Sequence, residues 1–178
     1  MGKTLLYIAT SLDGYVAGPN DEIGWLDRYN NVDYGLKEFL SGVGAIIMGR
    51  RSYDIGVEQK WFSRFNYGVP IFVVSHEQPV SINKDAEFIF VTKGIEAAHI
   101  QAKLKNKDKN IWIFGGANIA QRYLQLGLID EISIGITPTI LGNGKRLFDN
   151  IGKYVELTLI KTKRYGRDLV ELNYRINI

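Results

Sequence analysis

Short apolar runs alternate with stretches of helical periodicity along this chain, and that alternation sets the expected elements. Thr4–Thr10, TLLYIAT, reads as a first strand. Residues 11–31 are rich in Gly, Asp and Asn and carry no period, so a long irregular loop is expected. Loops of that length in compact domains are usually functional or disordered. Leu36, Phe39, Leu40 and Val43 then recur at helical spacing, which predicts a helix over 33–41. GAIIMG is wholly apolar, as a strand buried on both faces should be, and RRSYDIG opens a short helix behind it.

The same alternation continues. VPIFVVS (69–75) and EFIFVT (87–92) are strands, with Pro70 suited to a strand start. Residues 96–105 form a helix with Ala97, Ile100 and Leu104 on one stripe. NIWIF is the next strand. Residues 118–126 form a helix that turns Ile119, Tyr123 and Leu124 inward and stops at Gly127. EISIGIT alternates, with Ile132, Ile134 and Ile136 on one side. VELTLIKTK and LVELNYRINI flank the turn RYGRD, and Val170, Leu172, Tyr174, Ile176 and Ile178 share a face of the last strand. Strands and helices that alternate and then give way to strands alone predict an α/β protein. Its sheet is mixed and mostly parallel, with helices on both faces and an antiparallel C-terminal hairpin. Nothing resembles a linker, so residues 1–178 are read as a single domain.

Composition narrows the classes. The chain has 178 residues, 46% of them apolar, which suits one globular domain able to bury roughly two thirds of its unfolded surface. It has no cysteine, which excludes disulfides and thiolate metal sites. The first apolar run is too short for a signal peptide, and none reaches the roughly 20 residues of a membrane span. A cytoplasmic protein without membrane contact is expected. A net charge of +3 fits a small anionic ligand and also ordinary solubility. Lys161, Lys163, Arg164 and Arg167 cluster around a predicted turn, which favours a solvated hairpin end over a nucleic-acid patch.

Chemistry concentrates at strand ends. Gly115 and Gly116 follow a buried strand and open a helix. Three readings stay open for them: a tight turn, close helix packing, or backbone approach to a phosphate at a helix start. A Gly-x-Gly-x-x-Gly fingerprint fails, because no further glycine comes before Gly127. Gly49, Arg50, Arg51 and Ser52 repeat the arrangement, and arginines at a helix start oppose the dipole unless an anion relieves them. Ser75 and His76 stand at the tip of another strand. Asp33 either caps its helix or enters a pocket beside the core, where a carboxylate could deliver a proton. Asp13 is the second candidate carboxylate and also a natural turn residue. No metal motif, Walker motif or nucleophile elbow is present.

These motifs, in order, resemble the dihydrofolate reductase superfamily, in the branch typified by the C-terminal reductase domain of bifunctional riboflavin biosynthesis proteins. IATSLDGYVAG, IIMGRRSYD, VVS, IFGGANIAQ and DEISIGITPTILGNGKRLF carry the resemblance, from Thr4 to Phe148. It implies a three-layer dihydrofolate reductase-like fold, an NADPH cofactor and a homodimer. Gly49, Arg50, Arg51 and Ser52 would meet the nucleotide's phosphates, with Arg51 or its neighbours favouring NADPH over NADH. Ser75 and His76 would lie near the adenosine. Gly115, Gly116, Ala117, Asn118 and Ile119 would hold the pyrophosphate and ribose, with a cis peptide between the glycines. Ala9, Val16, Ala17 and Gly18 would border the nicotinamide.

The chain also departs from both named activities. Asp33, 15 residues before Met48, suits the acid of dihydrofolate reductases, but Gly24 replaces the proline of their Pro-Trp loop. Tyr15 stands where the riboflavin branch usually has a lysine. The expected activity is NADPH-dependent hydride transfer to a C=N or C=O bond of a small heterocycle, pterin-like or ribosylaminopyrimidine-like. Asp33 or Asp13 would assist protonation, and Tyr15, Trp25 and Phe39 would wall the substrate. The alternatives are a non-catalytic nucleotide-binding or regulatory module on the same fold, and a role mainly in oligomeric packing through the late strands.

Overall fold

The computed structural model describes residues 2–29, 33–64 and 67–177. Asn30 and Asn31 of the expected loop, and Ile178 of the last strand, lie outside the described residues. Ten strands and five α-helices are described, in this chain order: β1 Thr4–Thr10, β2 Tyr15–Ala17, α1 Leu36–Ser41, β3 Val43–Gly49, α2 Arg50–Glu58, α3 Trp61–Arg64, β4 Ile71–Val74, β5 Phe88–Val91, α4 Ile95–Lys105, β6 Asn110–Gly115, α5 Ala117–Gln125, β7 Glu131–Ile136, β8 Lys145–Arg146, β9 Leu157–Tyr165 and β10 Leu169–Ile176. The expected irregular loop is partly regular: it holds β2 and the 3-10 turns Pro19–Asp21 and Gly24–Tyr29. β2 pairs with β8, so a short distant strand orders this part of the loop.

Eight strands form one sheet in the order β5-β4-β3-β6-β1-β7-β10-β9. Contacts from β5 through β7 are parallel, and β10 runs antiparallel to both β7 and β9. β3 is central, and its residues from Val43 to Met48 are all buried, which is why that segment is apolar without alternation. Each fully buried aliphatic side chain there contributes about 1.5–3 kcal/mol relative to exposure. One face packs Ile111, Ile113 and Ile132 against α4 and α5. The other packs Ile46, Met48 and Trp112 against Tyr53 of α2, Phe62 of α3 and the partly buried Leu36 and Phe39 of α1. These are the three layers of the expected fold.

Two helices test the periodicity argument. α5 buries Ile119, Tyr123 and Leu124 as expected. It ends where Gly127 N–H reaches the Leu124 carbonyl and Leu128 N–H the Tyr123 carbonyl, at 3.1 and 3.0 Å. Gly127 has φ +67°, the left-handed conformation that this double closure requires. α4 corrects the expectation. Its buried positions are Ile95, Ala98, His99 and Ala102, while Ile100 and Leu104 are 60% and 81% exposed. Alanines let the helix axis approach a flat sheet closely, so the small stripe faces in and the bulky one faces solvent. Buried His99 loses its ordinary affinity for a proton, chiefly through desolvation.

The β2–β8 pair depends on Gly144. Its φ of +137° disfavours any side chain, and a Cβ there would run into the Ala17 carbonyl oxygen. Gly144→Ala is therefore expected to destabilise the protein by about 1–3 kcal/mol, measured by urea denaturation. An unchanged midpoint would contradict this account of the pair.

Candidate functional site

A crevice of about 720 Å³ opens along the carboxyl ends of β3, β4, β6 and β1. Open α/β sheets bind ligands at such strand ends, where successive helices leave on opposite faces. Here α2 leaves β3 on one face and α5 leaves β6 on the other, and the crevice runs between their starts.

Both helices begin without a capping side chain. Gly49 precedes α2, Gly116 precedes α5, neither makes a side-chain cap bond, and neither first turn contains an acid. Gly94 precedes α4, also without a side-chain cap bond, and lines the crevice, although Glu96 stands in that helix's first turn. The first backbone N–H groups of a helix lack intrahelical acceptors and carry its positive dipole end. The starts of α2 and α5 are close together. A Cβ on Gly116 would stand 3.4 Å from the Ser52 hydroxyl oxygen, and one on Gly49 would stand 3.0 Å from Ile119 Cγ1. The Gly115–Gly116 peptide is cis, as the resemblance implied.

The arginines turn different ways. Arg50 Nε donates to Asp54 Oδ1 at 2.9 Å, and its guanidinium stands 6.0 Å from the Phe90 ring centroid, toward the outer strand β5. Arg51 Nε donates to Asp21 Oδ2 at 2.8 Å, and Lys145 of β8 pairs with the other oxygen of that carboxylate. Lys145 first and Arg51 second hold the Asp21 carboxyl below its ordinary range, so it is ionised. Asp21, Arg51 and Lys145 all line the crevice. Ser75 is buried, with its hydroxyl on the Glu77 carbonyl at 2.7 Å, and His76 is exposed beside it.

Most of the residues expected to meet a cofactor are brought together: Ala9, Val16, Ala17, Gly49, Arg50, Arg51, Ser52, Ser75, His76, Gly116, Ala117, Asn118 and Ile119 all line the crevice. Gly18 and Gly115 are buried and lie outside its lining. The residues expected at the substrate lie elsewhere. Tyr15 is buried under Arg146, whose guanidinium is 4.7 Å from its ring centroid. Trp25 Nε1 is buried without a partner. Phe39 stacks on Tyr7 at 4.2 Å and lines a separate cavity of about 220 Å³.

Both candidate carboxylates are outside the crevice lining as well. Asp33 is exposed and accepts N–H bonds from Gly35 and Lys37 at 3.0 and 3.4 Å, which secures the entry to α1. Asp13 ties its own loop to a distant one. It accepts from the Ser11 hydroxyl at 2.6 Å and from the N–H groups of Leu141 and Gly142 at 3.1 and 2.7 Å.

Sequence reading missed the floor at the other end of the crevice. Trp61, Phe114, Trp112, Tyr67 and Tyr7 line it and are connected through Trp112 and Phe114. Their centroid separations are 5.8 Å for Trp61–Phe114, 4.9 Å for Phe114–Trp112, 6.1 Å for Trp112–Tyr67 and 6.1 Å for Trp112–Tyr7. The one available signal was the alternation within β6, which puts Trp112 and Phe114 on the same face. Lys145 was also missed, because a lysine that opens a two-residue strand after a glycine turn carries no period.

The fold and crevice define a dihydrofolate reductase-like α/β protein. Residues 3–171 match the RibD C-terminal domain family, and the chain belongs to that family. The Bacillus subtilis (strain 168) protein YwjB is 34% identical over 175 residues, covering 97% of each chain. A Shewanella structure described as a putative riboflavin biosynthesis protein superposes with a TM-score of 0.84 at 28% identity, over 99% of both chains. Enterococcus faecalis dihydrofolate reductase, solved with NADP(H), shares the fold with a TM-score of 0.68 at 13% identity, over 98% of this chain and 97% of that one. Among the described residues no helix is long and apolar enough to cross a membrane, and no cluster of three His, Asp or Glu is placed to hold a metal ion.

The Asp13 staple makes a pH-dependent prediction. The Ser11 hydroxyl first, and the Gly142 and Leu141 N–H groups as well, bring its carboxyl from 3.8 down to about 2. A depressed carboxylate stabilises the fold above its unfolded pKa, and the contribution disappears as pH falls through the folded one. Asp13→Asn is expected to be less stable than wild type near neutral pH, with the gap closing as pH falls from 3.8 to about 2. Acid denaturation followed by circular dichroism measures this, and a gap independent of pH would contradict it.

Proposed function

We propose that the protein is an NADPH-dependent reductase acting on a C=N or C=O bond of a small flat heterocycle. The observation that carries this reading is the pair of uncapped, glycine-preceded helix starts facing one another in the crevice, with two arginines on the first of them. Such a pair presents N–H groups and positive dipole ends to a diphosphate. Family membership and the fold shared with a dihydrofolate reductase solved with NADP(H) support the choice of cofactor.

The residues fit the group. N–H groups of Arg51, Ser52, Ala117 and Asn118 bind the diphosphate, and the Arg51 guanidinium reaches it once released from Asp21. Arg50, turned toward Phe90, takes the 2′-phosphate, so the preference for NADPH falls to it and not to Arg51. Ser75 and His76 border the adenosine, and Ala9, Val16 and Ala17 border the nicotinamide. The bound nicotinamide supplies hydride chemistry; the chain orients it and excludes water around the acceptor.

A second reading is a nucleotide-binding module without turnover. The placement of Asp33 and Asp13 outside the crevice favours it. Titrating NADPH, then following its oxidation with dihydropterins and ribosylaminopyrimidines, separates the two readings; absence of binding removes both. Arg50→Ala is expected to weaken NADPH by about tenfold or more, the scale of one lost charge-assisted hydrogen bond. NADH should change by no more than about twofold. Equal weakening of both would contradict the 2′-phosphate role.

We also infer a homodimer, as the resemblance implied, and assign its interface to the C-terminal hairpin. β9 is an edge strand, and Leu157, Leu159 and Val170 on the hairpin are 38%, 53% and 42% exposed. Apolar edges of this kind are normally covered. Light scattering should give twice the chain mass for wild type and a smaller mass for Leu159→Glu. A monomeric wild type would overturn the assignment.

A further inference from the structure

We propose that the substrate end of the crevice takes an uncharged, flat, conjugated molecule without phosphate or carboxylate groups. This deepens the reductase reading and rests on it for the identity of the cofactor end. The five aromatic residues of the floor form one connected cluster around Trp112, which meets Phe114, Tyr67 and Tyr7, with Trp61 joined through Phe114 and neighbouring ring planes inclined by 47–77°. Planar π-systems stack on such surfaces in offset or edge-to-face geometry.

None of the five floor residues carries a charge, although the carboxylates of Asp21 and Asp27 also line the crevice. Its described cations are Arg50 and Arg51 on α2, Arg122 on α5, and Lys145, which pairs with Asp21. None belongs to the floor, which is built from β1, α3, β6 and Tyr67. A phosphate dianion or a glutamate tail seated on the floor would lose its hydration without gaining a cation, and burial of an unpaired charge is strongly unfavourable. The floor's own hydroxyls stay neutral: burial raises the Tyr7 phenol and pushes that of Tyr67 up to about 12. The floor therefore adds no charge of its own. The acceptor carbon of such a substrate gains a hydride as NADPH becomes NADP⁺, and its heteroatom gains a proton from water.

Matched pairs of probes test this. Dihydrobiopterin is compared with dihydrofolate, and 5-amino-6-ribosylaminouracil with its 5′-phosphate. Binding is read from quenching of tryptophan fluorescence, with and without NADP⁺. The uncharged member should bind at least about tenfold tighter in both pairs, a difference of about 1.4 kcal/mol. Equal or tighter binding of the charged member, or no quenching by either, would overturn the proposal. Trp61→Arg, which adds a cation to the floor, should narrow the ratio at least about fivefold, whereas Trp61→Phe should leave it within about twofold. If Trp61→Arg fails to fold, the wild-type ratios decide alone. NADPH titration of the same preparation separates failures: lost NADPH binding removes the reductase reading, while the probe ratios without nucleotide still judge the floor.

Discussion

Backbone N–H groups left without acceptors at the starts of α2, α4 and α5 are the constraint around which the crevice is arranged. Each of these helices is preceded by glycine and none has a capping side chain. Glycine-capped starts forgo only a few tenths of a kcal/mol each relative to a Ser, Thr, Asp or Asn cap. A chain that leaves three of them along one crevice keeps donors available for an anion. The parallel sheet makes the arrangement possible, because β3, β5 and β6 point their carboxyl ends, and hence the helix starts that follow them, to the same side.

Ion pairs balance the cations around these starts. Arginines at a helix start repel the dipole, yet Arg50 is held by Asp54 and Arg51 by Asp21. Asp21 also pairs with Lys145, so one carboxylate from the early loop neutralises a cation from α2 and another from β8. Asp21 thus occupies the Arg51 guanidinium and competes with any phosphate for it. The same loop is stapled elsewhere by Asp13 to Leu141 and Gly142. Two carboxylates therefore fix the wall that the β2–β8 pair builds.

Much of this was legible in the residues. Buried parallel strands betray themselves by uninterrupted apolar runs, and GAIIMG and NIWIF were placed within a residue or two. Glycines at strand ends pointed to the crevice because few other residues explain an abrupt stop between an apolar run and a helix. Periodicity failed on α4, where two stripes competed. It cannot tell that a flat sheet selects Ala98 and Ala102 over Ile100 and Leu104. It also failed at the aromatic floor of the crevice. Tyr7, Trp61, Tyr67, Trp112 and Phe114 come from four separate stretches and meet only through the sheet order. Spacing left Asp33 between a cap and a pocket carboxylate, and its Oδ1 accepts from the backbone N–H groups of Gly35 and Lys37.

Amide hydrogen exchange, with and without NADPH, tests the central claim most directly. The account predicts slower exchange at residues 50–53 and 116–119 together when NADPH is present, with the C-terminal half of α4 unchanged. Binding that leaves both helix starts at their free exchange rates would contradict it.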